Sequence, residues 1–343
     1  MVSPIDPVAK SPSIVVLMAV CAAGYLLPCI ESIYADESGV LQDPLPVVQQ
    51  NPVMMRHFNP TPVSAYPLES GGVQLRLQGH YSSLFLADQL PAAQRYLADM
   101  ELFVAQAALR YGLGYGSDLE VSLPLLRPSA GVLDSALHRY HRALGLPNGG
   151  RELRPNNRFG YLYGHRQGGW RGSARWELGS VQLTMRSRIY RQPWALLLGV
   201  RLPTAGRSRG WGADGVDIAA GTVVSWQRDG WSAHAEGWWV APVLHHDRSI
   251  VVGDYLRVST TLGLQVTRLS SPFNVLLQIQ GGGSPYRQSG VAALDQSPWL
   301  ISVGVRLPVE GGWQWSATFV ENITQRSTQD FGISLGLTMS LFD

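Results

Sequence analysis

The chain has 343 residues, long enough for two globular domains, but no linker interrupts its pattern. Only 15% of the residues are charged, against roughly a quarter in ordinary soluble domains, while glycine (37), tryptophan (11) and tyrosine (13) are plentiful. The net charge of +2, without any basic run interleaved with aromatic residues, excludes a nucleic-acid partner.

The first 35 residues predict a secretory signal peptide. Residues 14–27 form the longest apolar run and precede small residues near Ala35, where we expect cleavage. A run of about fourteen residues suits a signal core and is too short for a spanning helix. Both cysteines, Cys21 and Cys29, then leave with the signal. Lipid modification of Cys29 is the alternative interpretation.

Residues 36–72 are rich in proline and lack any periodicity. Because proline removes donors from a β-ladder, this segment is not predicted to form part of a sheet. We expect a periplasmic segment or a partial plug inside a barrel, and a flexible linker is the alternative.

Residues 73–343 alternate between apolar and small or polar side chains. In the last segment Phe331, Ile333, Leu335, Leu337, Met339 and Leu341 share one parity. A period of two over about ten residues is typical of a strand that crosses an outer membrane. The pattern therefore predicts an all-β, transmembrane, antiparallel up-and-down barrel. Its strands are expected at residues 73–85, 97–111, 118–126, 179–190, 194–202, 216–227, 231–241, 255–267, 273–280, 299–307, 313–320 and 331–342.

The connections between these segments alternate between short and long. This alternation gives an even number of strands, about twelve, with both termini on the periplasmic side. A hairpin of residues 158–165 with 170–176, inside the longest link, makes fourteen strands the alternative. In the segment 97–111 the apolar parity changes near Gln106, which predicts a bulge or a wrong boundary.

Residues 130–145 change to helical spacing. Apolar residues follow one side, while the other carries polar and basic residues, and Gly145 supplies a stop. We expect one amphipathic helix in a long extracellular loop, over the barrel mouth or in the lumen. Closing the top is one role, and binding anionic lipid head groups through His138, Arg139, His141 and Arg142 is the other.

A central block of motifs resembles a proteobacterial barrel family, domain of unknown function 3187. The likeness is carried by Leu123-Pro124-Leu125-Leu126-Arg127, Gly131-Val132-Leu133-Asp134, Leu144-Gly145-Leu146-Pro147-Asn148-Gly149-Gly150-Arg151 and Arg154-Pro155-Asn156. Pro44-Leu45-Pro46, Gln50-Asn51-Pro52 and Leu202-Pro203-Thr204-Ala205-Gly206 are similar to its other recurring pieces. The resemblance implies a Gram-negative outer-membrane barrel and brings no known activity, so no catalytic residue is carried over.

Charged residues of both signs are expected on the face opposite the apolar parity. Since an unpaired charge is costly in a narrow lumen, they should pair across it or remain hydrated. They either brace and fill the barrel or line a narrow, weakly anion-preferring pore. These residues are Arg76, Glu101, Asp118, Glu120, Arg186, Arg188, Arg201, Asp217, His234, Glu236, Arg257 and Arg306.

One compact polar cluster, His245, His246 and Asp247, lies on a predicted outer loop. A histidine beside a carboxylate can serve as a general base, or the cluster can contact an ion or a head group, but a solvated loop is the simpler interpretation. No catalytic residue, metal site or cofactor is assigned. Rings near strand ends are expected at the head-group boundary: Trp170, Trp176, Trp194, Trp231, Trp299, Trp313 and Phe331.

The favoured hypothesis is a narrow, partly occluded pore for small polar solutes in the outer membrane, reached through the secretory pathway. The alternatives are a non-transporting structural or surface-interaction barrel, an outer-membrane hydrolase, and a transporter of hydrophobic compounds, which the inward arginines disfavour. The expected partners are outer-membrane lipid, lipopolysaccharide and the barrel assembly machinery. The oligomeric state is left open.

Overall fold

The computed structural model describes most of the chain beyond residue 42. The predicted signal peptide with Cys21 and Cys29, and also His246 and Asp247, lie outside the described residues. Those described are 43–88, 95–145, 151, 154–165, 168–189, 193–245, 250–266, 273–309, 311–324 and 327–342.

Twelve antiparallel strands close into a barrel, because each pairs with its neighbour along the chain and the last pairs with the first. This confirms the predicted fold class and strand number. The barrel strands are β1 (Val73–Asp88), β2 (Arg95–Gly114), β3 (Ser117–Ser129), β4 (Gln182–Arg188), β5 (Trp194–Arg201), β6 (Val216–Arg228), β7 (Trp231–Val243), β8 (Tyr255–Val266), β9 (Phe273–Gly282), β10 (Trp299–Val309), β11 (Trp313–Asn322) and β12 (Phe331–Phe342).

The apolar and the small or polar residues that alternate in the sequence point outward and inward, respectively, from the barrel wall. On β12, Ile333 and Leu335 are about half exposed on the outer face, while Gly332 and Ser334 are buried inside. The short connections lie at one end of the barrel, here named the short-turn end, and the long ones at the loop end. Asp229 and Gly230, with φ of 51° and 80°, form a two-residue turn whose left-handed backbone matches the strand twist.

Strand β2 (20 residues) keeps one parity from Tyr96 to Gly112, and its pairing with β3 shifts only between Gly112 and Gly114. Its pairing with β1 runs without a shift from Tyr111 to Tyr96, so the bulge predicted near Gln106 is wrong. The apolar parity changes because β2 continues well past the length that crosses a membrane. Beyond that length its inward positions enter a packed apolar cluster instead of a polar lumen.

The predicted extra hairpin forms, but it adds no spanning strands. Gly160–His165 pairs with Gly168–Arg171, and the hairpin continues the ladder of β2 only at its loop end, opposite Arg95 to Asp99. The fourteen-strand alternative is therefore wrong. Glu177–Leu178 pairs with the end of β3, and Val251–Val252 pairs with Tyr286–Arg287 between two loops.

Among the described residues, short helices outside the ladder include a 3-10 turn at Met54–Arg56, α1 at Asp134–Leu144 and α2 at Ala292–Asp295. Helix α1 confirms the amphipathic helix expected in the longest loop, and it ends at Gly145, whose φ of 68° is left-handed. Among the described residues, none of the helices is long and apolar enough to cross a membrane.

Helix α1 lies against the outer flank of the wall, not over the mouth or in the lumen as expected. The loop before it binds Glu101, and its Tyr140 contacts Glu321. Its first residue, Asp134, pairs with Arg151, which also packs over the ring of Phe85. Glu101, Glu321 and Phe85 all share the outward parity of their strands, which places the helix outside the barrel rim.

Candidate functional site

The lumen is occupied by residues 43–68, here named the luminal segment. The segment enters near Arg306 at the short-turn end, turns at Met54–Arg56 near the loop end, and returns to Asp118. None of its described residues is assigned to a strand. Its buried apolar residues, such as Leu45 and Phe58, pack against inward side chains of the wall.

The wall holds the luminal segment through inward polar side chains. Nη2 of Arg306 donates to the carbonyl of Pro44 at 2.5 Å, and Nη1 of the same guanidinium donates to Asp43. On the returning limb the donors are backbone N–H groups. Their bonds join Phe58 to Asp217 (2.6 Å), Val63 to Glu236 (3.1 Å), Ala65 to Ser225 (2.7 Å) and Leu68 to Asp118 (2.9 Å).

Opposite charges pair inside the lumen, as buried charges must. Glu120 binds Arg76 at 2.7 Å and Arg110 at 3.0 Å. Asp118 pairs with Arg186, whose Nη1 also donates to the Ser64 carbonyl at 2.6 Å. Two wall carboxylates, Asp118 and Asp217, each neutralise an arginine and also accept a bond from the luminal segment.

Most of the residues expected to face the lumen do lie on its inner side. Arg201 binds Asp217 at 2.7 Å, and Nδ1 of His234 lies 2.8 Å from Oγ of Ser225. Arg188 packs over the ring of Tyr66. The inward residues are Arg76, Asp118, Glu120, Arg186, Arg188, Arg201, Asp217, His234, Glu236, Arg257 and Arg306.

Glu101 is the exception, because it points outward from β2 at the loop end. It is buried nonetheless, since the loop before α1 covers it. Its Oε1 accepts the N–H groups of Val132, at 2.8 Å, and Leu133, and its Oε2 accepts the hydroxyl of Tyr81. Gly131 makes this contact possible, because a Cβ there would lie 2.0 Å from the Glu101 carboxyl carbon.

Sequence reasoning missed several residues of the lumen, among them Arg110 and His57. Arg110 lies in the strand whose parity was misread at Gln106, so a corrected parity could have found it. His57 lies in the aperiodic segment and carries no pattern of its own. Its imidazole is buried beside the Asp217 carboxylate.

A loop-end cluster of apolar and aromatic residues closes the long-loop side of the lumen. It combines inward residues of β1 to β3 with loop residues and with Val53 of the luminal segment. Trp170, expected at the head-group boundary, is buried here. It stacks on Tyr163 with ring centroids 4.6 Å apart, and the guanidinium of Arg56 lies 3.9 Å from its ring centroid.

The residues considered for head-group contact separate into two groups. On α1, Arg139 and Arg142 are exposed and His138 is half-buried, while His141 is buried. His245 does not lie on a solvated loop surface. Leu244 adopts a left-handed φ of 57°, and His245 points into the barrel with its side chain 9% exposed.

His245 meets His57 at the carboxylate of Asp217, where three parts of the molecule come together. Nε2 of His245 lies 3.1 Å from Oδ1 of Asp217, and Nδ1 of His57 lies 3.5 Å from the same oxygen. The ligand atoms of these three residues all lie within 4.8 Å of one another. The cluster joins the luminal segment, the wall and the loop after β7.

These features define a class: a twelve-stranded barrel with an apolar outer wall and a lumen occupied by its own N-terminal segment. The chain belongs to the family described as protein of unknown function (DUF3187), which matches residues 34–341. Comparison with curated proteins gives no match.

Solved structures of outer-membrane barrels are similar to this chain. The COG4313 outer membrane channel from Pseudomonas putida F1 is 13% identical with a TM-score of 0.52, over 81% of this chain and 98% of that one. The NanC porin is 9% identical with a TM-score of 0.41, over 78% and 100%. A Pseudomonas aeruginosa FadL homologue is 8% identical with a TM-score of 0.37, over 80% and 91%. The first likeness shows a shared fold.

Proposed function

We propose that the protein is an outer-membrane channel held closed by its luminal segment. The supporting observation is how that segment is bound. Its contacts with the wall run through side chains, whereas the twelve-strand ladder closes without it. The segment can therefore leave the lumen without breaking the backbone hydrogen bonds that a barrel needs in lipid.

The luminal segment and the loop-end cluster form one obstruction. Val53 belongs to the cluster, its carbonyl accepts the Tyr286 hydroxyl at 2.9 Å, and Arg56 stacks on Trp170. Because the turn of the segment is part of the cluster, withdrawal of the segment also removes part of the loop-end packing. One movement then opens both ends of the path.

We infer that the open channel passes small polar solutes and prefers anions. Arginines outnumber carboxylates among the inward residues of the described strands, and withdrawal of the segment exposes guanidinium groups such as those of Arg186 and Arg306. A ring of fixed positive charge lowers the energy of a passing anion.

The apolar outer surface of the wall supports the outer-membrane location and the lipid partners that we propose. Its outward apolar residues need a lipid band, and the long loops belong outside a Gram-negative outer membrane to which the chain is exported. Arg139 and Arg142 are exposed on helix α1, and we infer that they contact lipopolysaccharide phosphates. The barrel assembly machinery is the expected partner during insertion.

Planar-bilayer conductance tests the channel. The purified full chain is compared with a variant in which residues 43–68 are replaced by a glycine-serine linker of equal length, and heat-dependent gel mobility checks that both are folded. We expect rare openings from the full chain and steady, anion-selective conductance from the linker variant. A folded linker variant that stays silent would contradict the channel.

A silent linker variant would support the second candidate, a non-transporting barrel. The observation that favours this candidate is the loop-end cluster, most of which comes from the wall and the loops and not from the luminal segment. If that packing persists after the segment is removed, the path stays closed.

A further inference from the structure

We propose that His57, Asp217 and His245 bind one divalent transition-metal ion of the zinc type. The ion would join the luminal segment, strand β6 and the loop after β7 at a single point. Metal binding at this point does not depend on whether the barrel conducts.

The separations of the donor atoms suit a shared ion. Donors around a tetrahedral zinc ion lie about 3.3 Å apart, because bonds of about 2.0 to 2.1 Å meet at the tetrahedral angle. Oδ1 of Asp217 lies 3.1 Å from Nε2 of His245 and 3.5 Å from Nδ1 of His57. All three ligand atoms lie within 4.8 Å of one another. The third separation, between the two imidazole nitrogens, therefore has to shorten by at most about 1.5 Å when a zinc ion binds.

The carboxylate of Asp217 is already oriented for single-oxygen ligation. Its Oδ2 accepts Nε of Arg201 at 2.7 Å and the N–H of Phe58 at 2.6 Å. A carboxylate has about four acceptor positions, so Oδ1 remains available to both imidazoles, and Nδ1 of His57 lies at a similar distance from Oδ2, 3.4 Å. Arg201 also approaches Oδ1 through Nη2, at a longer 3.4 Å.

A carboxylate lies near the second ring nitrogen of His245, on the side where zinc-bound histidines have a hydrogen-bonded partner. Nδ1 of His245 lies 3.4 Å from Oδ1 of Asp214, and the other oxygen of Asp214 lies 3.4 Å from Arg207. A carboxylate on one ring nitrogen fixes the tautomer, so that the other nitrogen can bind the metal. Asp214 is a positioning residue in this arrangement.

The backbone holds the His245 ring in place. A Cβ at Gly215 would lie 2.6 Å from Cδ2 of His245 and 2.4 Å from the Val243 carbonyl, so this position accepts the ring only because it is glycine. The Gly215 carbonyl also accepts Nη2 of Arg201 at 2.5 Å. One short stretch before β6 therefore positions both the ring and the guanidinium beside Asp217.

The donor set selects the kind of metal. Two imidazole nitrogens and one carboxylate oxygen suit zinc and its neighbours, whereas calcium and magnesium require oxygen ligands throughout. A water molecule would complete a four-coordinate site of this kind.

The test measures metal binding directly on the full chain in detergent. The protein is stripped with a chelator, titrated with Zn²⁺ by calorimetry, and analysed for bound zinc by mass spectrometry. Co²⁺ is the spectroscopic probe, because tetrahedral Co²⁺ absorbs strongly in the visible range. His57→Ala and His245→Ala remove one ligand each, while His138→Ala on helix α1 is the matched control.

We expect one zinc per chain and an intense Co²⁺ band in the wild type and in His138→Ala. Each of the two ligand variants should bind zinc at least 100-fold more weakly and lose that band. Because Asp217→Asn leaves Arg201 without its carboxylate and can fail to fold, the histidine variants carry the test. A folded wild type without stoichiometric zinc, or zinc binding that survives both histidine substitutions, would overturn the site.

Discussion

Phe58→Ala should release the luminal segment from the wall. The ring of Phe58 is 1% exposed, and its centroid lies 5.4 Å from that of Trp238. Removal of a buried phenylalanine ring costs about 3 to 5 kcal/mol. Since about 1.4 kcal/mol is a tenfold change in an equilibrium constant, the undocked fraction should rise about 100- to 4,000-fold.

Amide hydrogen exchange measures this undocking without any transport assay. The N–H groups of Phe58, Val63, Ala65 and Leu68 donate to side chains of the wall, so they exchange when the segment leaves. We expect exchange in peptides covering residues 58–68 to accelerate by the same factor, while peptides from β9 and β10 stay protected. The open probability in planar bilayers should rise in parallel.

The result that would refute this reasoning is a folded Phe58→Ala barrel whose 58–68 peptides exchange at the wild-type rate. The ring would then contribute nothing to docking. Equal acceleration throughout the wall would also contradict it, because the luminal segment would then be part of the barrel's cooperative unit.

Three further predictions address other contacts. Gly199→Ala places a Cβ 2.2 Å from the Phe58 ring and should weaken docking by about 1 to 3 kcal/mol in the same exchange assay, whereas Gly237→Ala, which meets nothing within 4 Å, should not. Glu120→Ala leaves two buried arginines without their carboxylate, so the free energy of unfolding, measured by urea denaturation, should fall by about 3 to 5 kcal/mol. Arg228→Ala, at an exposed pair, should leave it unchanged. Glu101→Gln weakens charge-assisted bonds to the loop before α1 and should speed proteolysis in residues 130–145. An unchanged rate would contradict the role of Glu101 in holding that loop.

The strands of the wall could be predicted because each strand carries the alternating pattern in its own sequence. Lipid covers the outer face along the membrane-spanning length, so each strand repeats the same two-residue alternation there, as Leu335 and Gly336 do on β12. The twelve strands and their order follow from this rule together with the alternation of short and long connections. The misreading at Gln106 arose where the rule ends, because β2 continues beyond the membrane into the loop-end cluster.

The interior could be predicted only in part, because it depends on contacts between distant residues. Parity alone places Asp217 inside, but nothing near it in the sequence indicates that His57, 160 positions away, shares its carboxylate. Glu101 shows the opposite failure: it lies on the lipid parity and stays buried because a loop covers it. Neither the covering loop nor the luminal segment has a period from which its position could be read.

The separation between wall and interior has a physical consequence for opening. In a barrel whose ladder included the segment, withdrawal would expose backbone groups to lipid, and each would cost several kcal/mol. Here the withdrawn N–H groups of residues 58–68 would meet water in the emptied lumen, and so would the wall carboxylates that they leave. The cost of opening is then mainly the loss of buried apolar contacts such as those of Phe58 and Leu45. In the proposed channel, those contacts would set the balance between the closed and the open state, and the stability of the wall would not.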